Sequence, residues 1–458
     1  MSQAIAALSG GGVLLAWAAV LLSALAGLGA ALPVGLAGLA LCLVLQAPNY
    51  SRYALGHLGL GAAFALVTLL RVPAPGRIIA EAFASGGFII VLFASFGILR
   101  EAAQSSPLVL ATGRMLVAQP PGRRYFAIAG GGTLLGAILN FGVVALFAGM
   151  IRDANTAGSA GGDGALRGDR ERRMMLALLR GFSVVMFWCP LTMAFAITTA
   201  AIPEARWPLM AAFGLVAACV GVISGWLVDG PPVRERGLPR DAVPIDWPRL
   251  APLAGLLAVM SALAVLVDEL TPGRLIDGVI LFVPLLGLVW LVHDAGIDGL
   301  RRAGRYVTHQ IPQQRSELAI LGNAAFVGTL MAALLPPAAV EAVLGPQGVP
   351  AVLIPPLFLA LVVIFGQLGA NPLISVFVLA SIMRDPAAYG VDPSLLATSL
   401  ALGWGLAIGS SPATAATMFI GSLTGHGSFT IGGRWNGPHT WIAVLLCSLI
   451  LIALAYAF

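Results

Sequence analysis

The sequence predicts an all-α integral membrane protein of about 11 transmembrane helices plus two re-entrant hairpins, arranged as one leading helix and two inverted-topology five-helix repeats. Three observations predict it. Apolar runs long enough to span a bilayer recur from end to end of a 458-residue chain that is 59% hydrophobic and only 10% charged. Arginines crowd into alternate loops. Two kinds of chain break, each flanked by similar residues, occur once in each half.

In chain order, the spanning candidates are Val13 to Ala30, Pro33 to Leu45, Tyr53 to Leu70, Ile78 to Leu99, Met174 to Ala200 and Leu209 to Val228. The series continues with Leu250 to Val267, Leu275 to Val292, Leu318 to Leu335, Leu395 to Ile420 and Trp441 to Ala457. No basic, apolar leader with a small-residue cleavage site precedes the first run, which reads as a retained spanning helix. Two further apolar stretches, 125–151 and 356–383, are interrupted at their middles by Asn140-Phe141-Gly142 and Gly369-Ala370-Asn371-Pro372. Both read as re-entrant hairpins. Ser105 to Val117 is too short to cross and reads as an interfacial helix, and the Gly-rich stretch Thr156 to Gly168 as a flexible tether.

Charge placement supports the hairpins. All 25 basic residues are Arg, a sign of a GC-rich bacterial genome. If 125–151 returns to its own side, Arg100, Arg114, Arg123 and Arg124 share a compartment with Arg152, Arg167, Arg170, Arg172 and Arg173. Only Arg71, Arg77, Arg206, Arg274 and Arg384 then face the other side, and Arg180 lies within a span, from which its stem can snorkel to the interface. Short cytoplasmic loops concentrate Arg. The expectation is a multi-pass protein of the bacterial inner membrane with a cytoplasmic N-terminus and a periplasmic C-terminus. The segments are 1–31 as leading helix, 32–228 as first repeat, 229–249 as cytoplasmic linker and 250–458 as second repeat.

The same composition excludes other classes. Cys42, Cys189, Cys219 and Cys447 lie inside apolar runs and behave as small hydrophobes, so neither disulfides nor a metal centre is expected. A pI near 9.4 reflects orientation rather than nucleic-acid binding. The chain has no His-Glu-x-x-His, no paired Asp motif in a span and no nucleophile with a plausible base at membrane depth, so an enzyme is not expected.

The halves match in register. Phe96 precedes Pro107 as Phe326 precedes Pro337; Gly181 precedes Pro190 as Gly403 precedes Pro412; Thr192 and Thr414 each follow that proline by two residues, and Ala194 and Ala416 by four. Each hairpin exits into Arg-Asp, at Arg152-Asp153 and Arg384-Asp385. The first exit leads into an Arg-rich loop and the second does not, which inverts one repeat against the other.

The breaks are where the site should be. Lipid cannot satisfy a freed backbone N–H or C=O, so a broken span is expected to line a cavity. The candidate ligands are Asn140 and Gly142 at the first tip, and Gln367, Gly369, Asn371 and Pro372 at the second. Cys189, Pro190 and Thr192 mark one helix interruption, and Ser410, Ser411, Pro412 and Thr414 the other. Freed carbonyls with Asn, Ser or Thr oxygens suit a sodium ion, whereas exposed helix N-termini attract anions. A carrier of a small anion with sodium as coupling ion is therefore expected. The hairpins and interrupted helices contain no Asp or Glu, which disfavours proton exchange. Trp188 reads as a pocket cap or a packed indole, and Glu81, His57 and His293 as capping or solvated groups near span ends.

This plan resembles the ion transporter superfamily, in particular the divalent anion/sodium symporters. The resemblance implies hairpin tips that bind sodium and a substrate carboxylate, an elevator motion and a homodimer. That family carries Ser-Asn-Thr at its tips. Here the tips read Leu-Asn-Phe-Gly and Ala-Asn-Pro-Leu, so Asn140 and Asn371 are the residues that carry over. Arsenite-efflux and sodium/proton-antiporter relatives share the plan, which leaves an exporter or antiporter of an inorganic oxyanion or cation as the alternative.

Overall fold

The computed structural model describes residues 3–156, 162–230, 244–270, 274–345, 348–383 and 385–457. Part of the Gly-rich tether, most of the 229–249 linker with Arg234, Arg236 and Arg240, and Arg384 at the second hairpin's exit lie outside the described residues. The described residues form helices and connecting turns, without strands.

In chain order the helices are α1 (Gln3–Ala26), α2 (Ala31–Gln46), α3 (Arg52–Arg71), α4 (Pro75–Ser105), α5 (Pro107–Val117), α6 (Pro121–Leu139), α7 (Gly142–Ala154), α8 (Gly164–Trp188), α9 (Met193–Ala201) and α10 (Trp207–Asp229). They continue with α11 (Trp247–Leu270), α12 (Leu275–Ala295), α13 (Ile297–Arg305), the single turn α14 (Ile311–Gln313), α15 (Arg315–Leu334), α16 (Pro337–Leu344), α17 (Ile354–Gln367), α18 (Pro372–Ile382), α19 (Pro393–Ser410), α20 (Ala415–Thr424) and α21 (Gly437–Ala457). Among the described residues, 11 spans are long and apolar enough to cross a membrane, two of them formed by the broken pairs α8/α9 and α19/α20. This is a multi-pass membrane protein.

Helix starts follow local chemistry. Ser51 accepts from Ala54 N at the start of α3, and Asp392 accepts from Ser394 N and Leu395 N at the start of α19. Pro107, Pro121 and Pro208 sit in the first turns of α5, α6 and α10, where a missing N–H costs nothing. One expectation is corrected here. The tether expected over Thr156 to Gly168 is partly helical, because Asp163 accepts from Ala165 N and Leu166 N and starts α8 at Gly164.

The chain divides into two compact units, each drawing on both halves of the sequence. One comprises Met1–Ala103, Val259–Val343 and Val376–Arg384; the other comprises Gln104–Ala258, Leu344–Ser375 and Asp385–Phe458. In the first, small residues let backbones approach. A Cβ on Gly86 would come within 2.6 Å of Gly322 O, and one on Gly97 would strike the Tyr306 ring. Tyr306 donates to Ala94 O at 3.1 Å, and burial pushes its phenol up to about 12. Trp17 Nε1 donates to Ile280 O at 3.0 Å and ties α1 to α12.

The second unit is built around the broken helices. In the α19/α20 span 94% of the most apolar window is buried, and in α8/α9 78%, against 17% in α3. Valine, phenylalanine and leucine side chains from α8, α10, α17, α19 and α21, including Val184, Phe187, Phe213, Leu359, Leu402 and Leu406, form its core. Two glycines with matched places in the sequence do matched work. Gly181 on α8 packs against the Ala129 backbone of α6, and Gly403 on α19 packs against Leu359 and Val362 of α17.

A Cβ added to Gly181 would meet backbone, which cannot swing aside, so Gly181→Ala should destabilise the fold by about 1–3 kcal/mol. Gly56→Ala on exposed α3, with nothing within 4 Å, should leave the melting midpoint in detergent unchanged or raised. Equal midpoints for the two variants would contradict the close α6/α8 crossing.

Candidate functional site

Four interruptions belong to the second unit. The first separates α6 from α7. Asn140 adopts φ 51°, ψ −135°, a conformation that disfavours most L-residues and admits Asn and Gly. Its Oδ1 accepts from Phe141 N at 2.9 Å, and its backbone N–H donates to Gly136 O at 2.8 Å. The chain then folds back. A Cβ on Gly131 would lie 3.0 Å from the Phe147 ring, and one on Gly136 would lie 3.6 Å from Val143, so the arms run alongside each other about the turn. Gly142 is buried at the start of α7. Phe141 meets Phe419 of α20 edge-on, with ring centroids 6.1 Å apart.

The second interruption is Cys189-Pro190-Leu191-Thr192, between α8 and α9. Pro190 has no N–H to offer the Met186 carbonyl four residues back, so α8 stops at Trp188. Thr192 caps α9, accepting from Phe195 N at 3.4 Å, and its hydroxyl donates to Cys189 O at 2.9 Å. Cys189 is fully buried.

The third interruption follows α17. Gly369 turns the chain at φ 93°, and Asn371 Oδ1 accepts from Leu373 N at 3.0 Å, capping α18, in which Pro372 is the first residue. Each tip asparagine thus fixes its own turn and keeps a second lone pair on Oδ1.

The fourth interruption, Ser411 to Thr414, is the most fully bonded. The last four carbonyls of a helix have no partner within it, and at the end of α19 each finds one. Ala407 O accepts from Ser411 N at 2.8 Å, Ile408 O from Thr414 Oγ1 at 2.9 Å, Gly409 O from Asn436 Nδ2 at 2.8 Å and Ser410 O from Gln367 Nε2 at 3.2 Å. Pro412 is the cause for Ile408, whose carbonyl would otherwise accept from residue 412. Ser410 Oγ donates to Leu406 O at 2.8 Å, and Ser411 Oγ accepts from Ala413 N at 3.2 Å. Three oxygens converge beside the break: Thr417 Oγ1 lies 2.6 Å from Ser411 O and 3.0 Å from Thr414 Oγ1, which lies 3.2 Å from Ser411 O.

The structure thus joins Gln367 to Ser410, and Ser411 to Thr414, while Thr192 bonds within its own break. Thr417, fully buried, was missed by the sequence reading, although its spacing of three from Thr414 puts both hydroxyls on one helix face. Asp229 and Asn436 were missed too.

Arg180 requires a correction. It does not snorkel: its side chain is 1% exposed and forms a two-pronged ion pair with Asp229, Nη1 to Oδ2 at 2.8 Å and Nη2 to Oδ1 at 3.2 Å. Asp229 at the end of α10 supplies the charge that makes a buried guanidinium tolerable. The carboxylate comes from a neighbouring helix, so spacing along α8 could not announce it.

The fold is similar to that of a solved transporter. The crystal structure of the Alcanivorax borkumensis YdaH transporter, described as having an unusual topology, superimposes with a TM-score of 0.60 over 87% of this chain and 97% of that one, at 17% sequence identity. No protein-family model matches the sequence. No curated protein matches it either.

The geometry of Asn140 separates folding from chemistry. Asn140→Gly keeps the backbone at no steric cost and should leave the melting midpoint unchanged or raised, whereas Asn140→Val should lower it through about 1–3 kcal/mol of strain in the folded state. A midpoint for the glycine variant as low as that for valine would mean that the side-chain bond to Phe141, rather than the backbone conformation, sets the requirement.

Proposed function

We propose that the protein is a secondary active transporter of the elevator type that carries a small anion, an organic carboxylate in the first instance, together with sodium. The observation that carries this reading is the fourth interruption, where carbonyl and hydroxyl oxygens of Ser411, Thr414 and Thr417 meet within 2.6–3.2 Å inside the most buried of the described spans. Oxygen donors on irregular, buried backbone suit a hard cation, and the N-terminal ends of α7, α9, α18 and α20 at the interruptions offer partial positive charge to an anion. Likeness of fold to a transporter agrees with this.

In this reading α6/α7 is a re-entrant hairpin and α17/α18 its counterpart in an inverted repeat; the matched packing of Gly181 against α6 and Gly403 against α17 supports the repeat. Asn140 and Asn371 present the free lone pair of Oδ1 to the ion and substrate. Pro190 and Pro412 keep the helices broken. The bacterial inner membrane, a cytoplasmic N-terminus and a homodimer follow from the arginine pattern and the family resemblance.

One observation favours the second reading, an exporter or antiporter of an oxyanion or cation driven by protons. The second unit holds ionisable groups outside the hairpins: Asp229 against Arg180, and His439, 2% exposed, with Nε2 at 2.9 Å from Gly221 O and Nδ1 buried without a partner among the described residues. Intramembrane ionisable groups are the usual currency of proton coupling.

Thermal stabilisation of the purified protein across a panel of small anions, each in sodium and in choline, distinguishes these readings, because a ligand selective for the folded state raises its midpoint. Stabilisation by a carboxylate that requires sodium, and is lost in Asn371→Ala, is expected. Absence of any anion response, with a cation response that varies with pH, would overturn the symporter in favour of the antiporter.

A further inference from the structure

We propose that Asn436 is a positioning residue that holds the two interrupted helices of the second unit in register, with the Arg180–Asp229 ion pair as its anchor. The proposal rests on the transport reading, since it assigns to Asn436 the shape of the site rather than contact with the solute. Asn436 is 3% exposed and works at both ends of its amide. Its Oδ1 accepts from Arg180 Nε at 2.9 Å, and its Nδ2 donates to Gly409 O at 2.8 Å.

These two contacts lie on the arms that lead to the breaks. Arg180 is eight residues before Trp188, where α8 ends, and Gly409 is the residue before Ser410, where α19 ends. Between them the helices cross with almost no space. A Cβ on Gly405 would lie 2.5 Å from Ser183 O, and one on Gly409 would lie 2.5 Å from Ser183 Oγ and 3.2 Å from Asn436 Nδ2. A brace this close to the crossing fixes how the last turn of α19 points, and with it the carbonyls of Ile408, Ser410 and Ser411.

Asn436 is itself placed with care. It follows a π-turn over Thr430–Trp435, with Asn436 N donating to Ile431 O at 3.1 Å, and π-turns are costly features that cluster at functional sites. The turn brings Gly432 onto Ser410 O, where a Cβ would collide. The carbonyl of Asn436 accepts from Thr440 Oγ1 at 3.0 Å.

The anchor is a buried, two-pronged ion pair. Replacing a buried ion pair by packed apolar groups is often neutral or stabilising, so what this pair supplies in the structure is a fixed direction for Asn436. Every nitrogen of the Arg180 guanidinium is engaged: Nε by Asn436, Nη1 by Gly225 O at 2.8 Å and by Asp229, and Nη2 by Asp229. A guanidinium so held cannot rotate, and Asn436 inherits a fixed direction.

Asn436→Asp tests the idea because it keeps an acceptor for Arg180 and removes the donor to Gly409 O; Asn436→Ala removes both; Thr440→Val removes a neighbouring bond without touching either contact. The full-length protein is titrated with sodium chloride against choline chloride at constant ionic strength and followed by its melting midpoint, and hydrogen exchange is read over residues 405–417. Both Asn436 variants should raise the half-saturating sodium concentration roughly tenfold and speed exchange at the break, with Thr440→Val matching the wild type in both. Sodium titrations within twofold of the wild type and unaltered exchange in Asn436→Asp would overturn the proposal. A wild type that ignores sodium would count against the symporter reading alone; exchange at the break would then decide the positioning role by itself.

Discussion

A broken helix in hydrocarbon has to satisfy its freed backbone groups from within the protein, and the second unit is organised by that requirement. Pro190 and Pro412 each withdraw an N–H that a carbonyl four residues earlier would have used. The response is first burial, greatest in the two spans that carry the breaks, and then donors brought from elsewhere. At the end of α19 these come from four sources: the chain's own next N–H, a threonine hydroxyl, a glutamine and an asparagine. Two of the donors, Gln367 and Asn436, lie on segments that reach the break only in the folded unit, so the break and the packing around it form together.

The breaks are alike in sequence and unlike in chemistry. Thr192 and Thr414 hold the same place after their prolines, yet Thr192 turns to Cys189 O while Thr414 reaches back to Ile408 O and beside Thr417. The residue four before the first tip is Gly136, where the second has Gln367, so no amide from that position can reach the end of α8. A site assembled from such halves is polar around α19 and more apolar around α8, where Cys189, Phe187 and Leu191 are all buried.

Much of the architecture was legible in the sequence. The spans were, because hydropathy over some 20 residues is a local property: Met174 to Ala200 and Leu395 to Ile420 are the broken helices, split where Cys189-Pro190 and Ser411-Pro412 said they would be. The interruptions at Asn140 and Gly369 were legible from their turn-forming residues, and both positions adopt positive φ. What the sequence did not carry was partnership. Arg180 looked able to reach water because Asp229 is 49 residues away along the chain, and Asn436 drew no attention because its partners, Arg180 and Gly409, belong to two other helices. Asp163 is the exception, a local N-cap signal hidden by the glycines around it.

Arg180 shows why such partnerships bear on function. A charge at membrane depth is costly unless it is paired, and removing one partner of a buried pair costs more than the pair itself contributes. Such a group persists where its geometry is needed. Here the carboxylate holds the guanidinium, the guanidinium holds Asn436, and Asn436 holds the carbonyl next to the break. The chain of contacts starts at the end of α10 and finishes one residue from Ser410. These contacts are continuous from Asp229 to Gly409 O, so the end of α19 is held by a group that starts on α10.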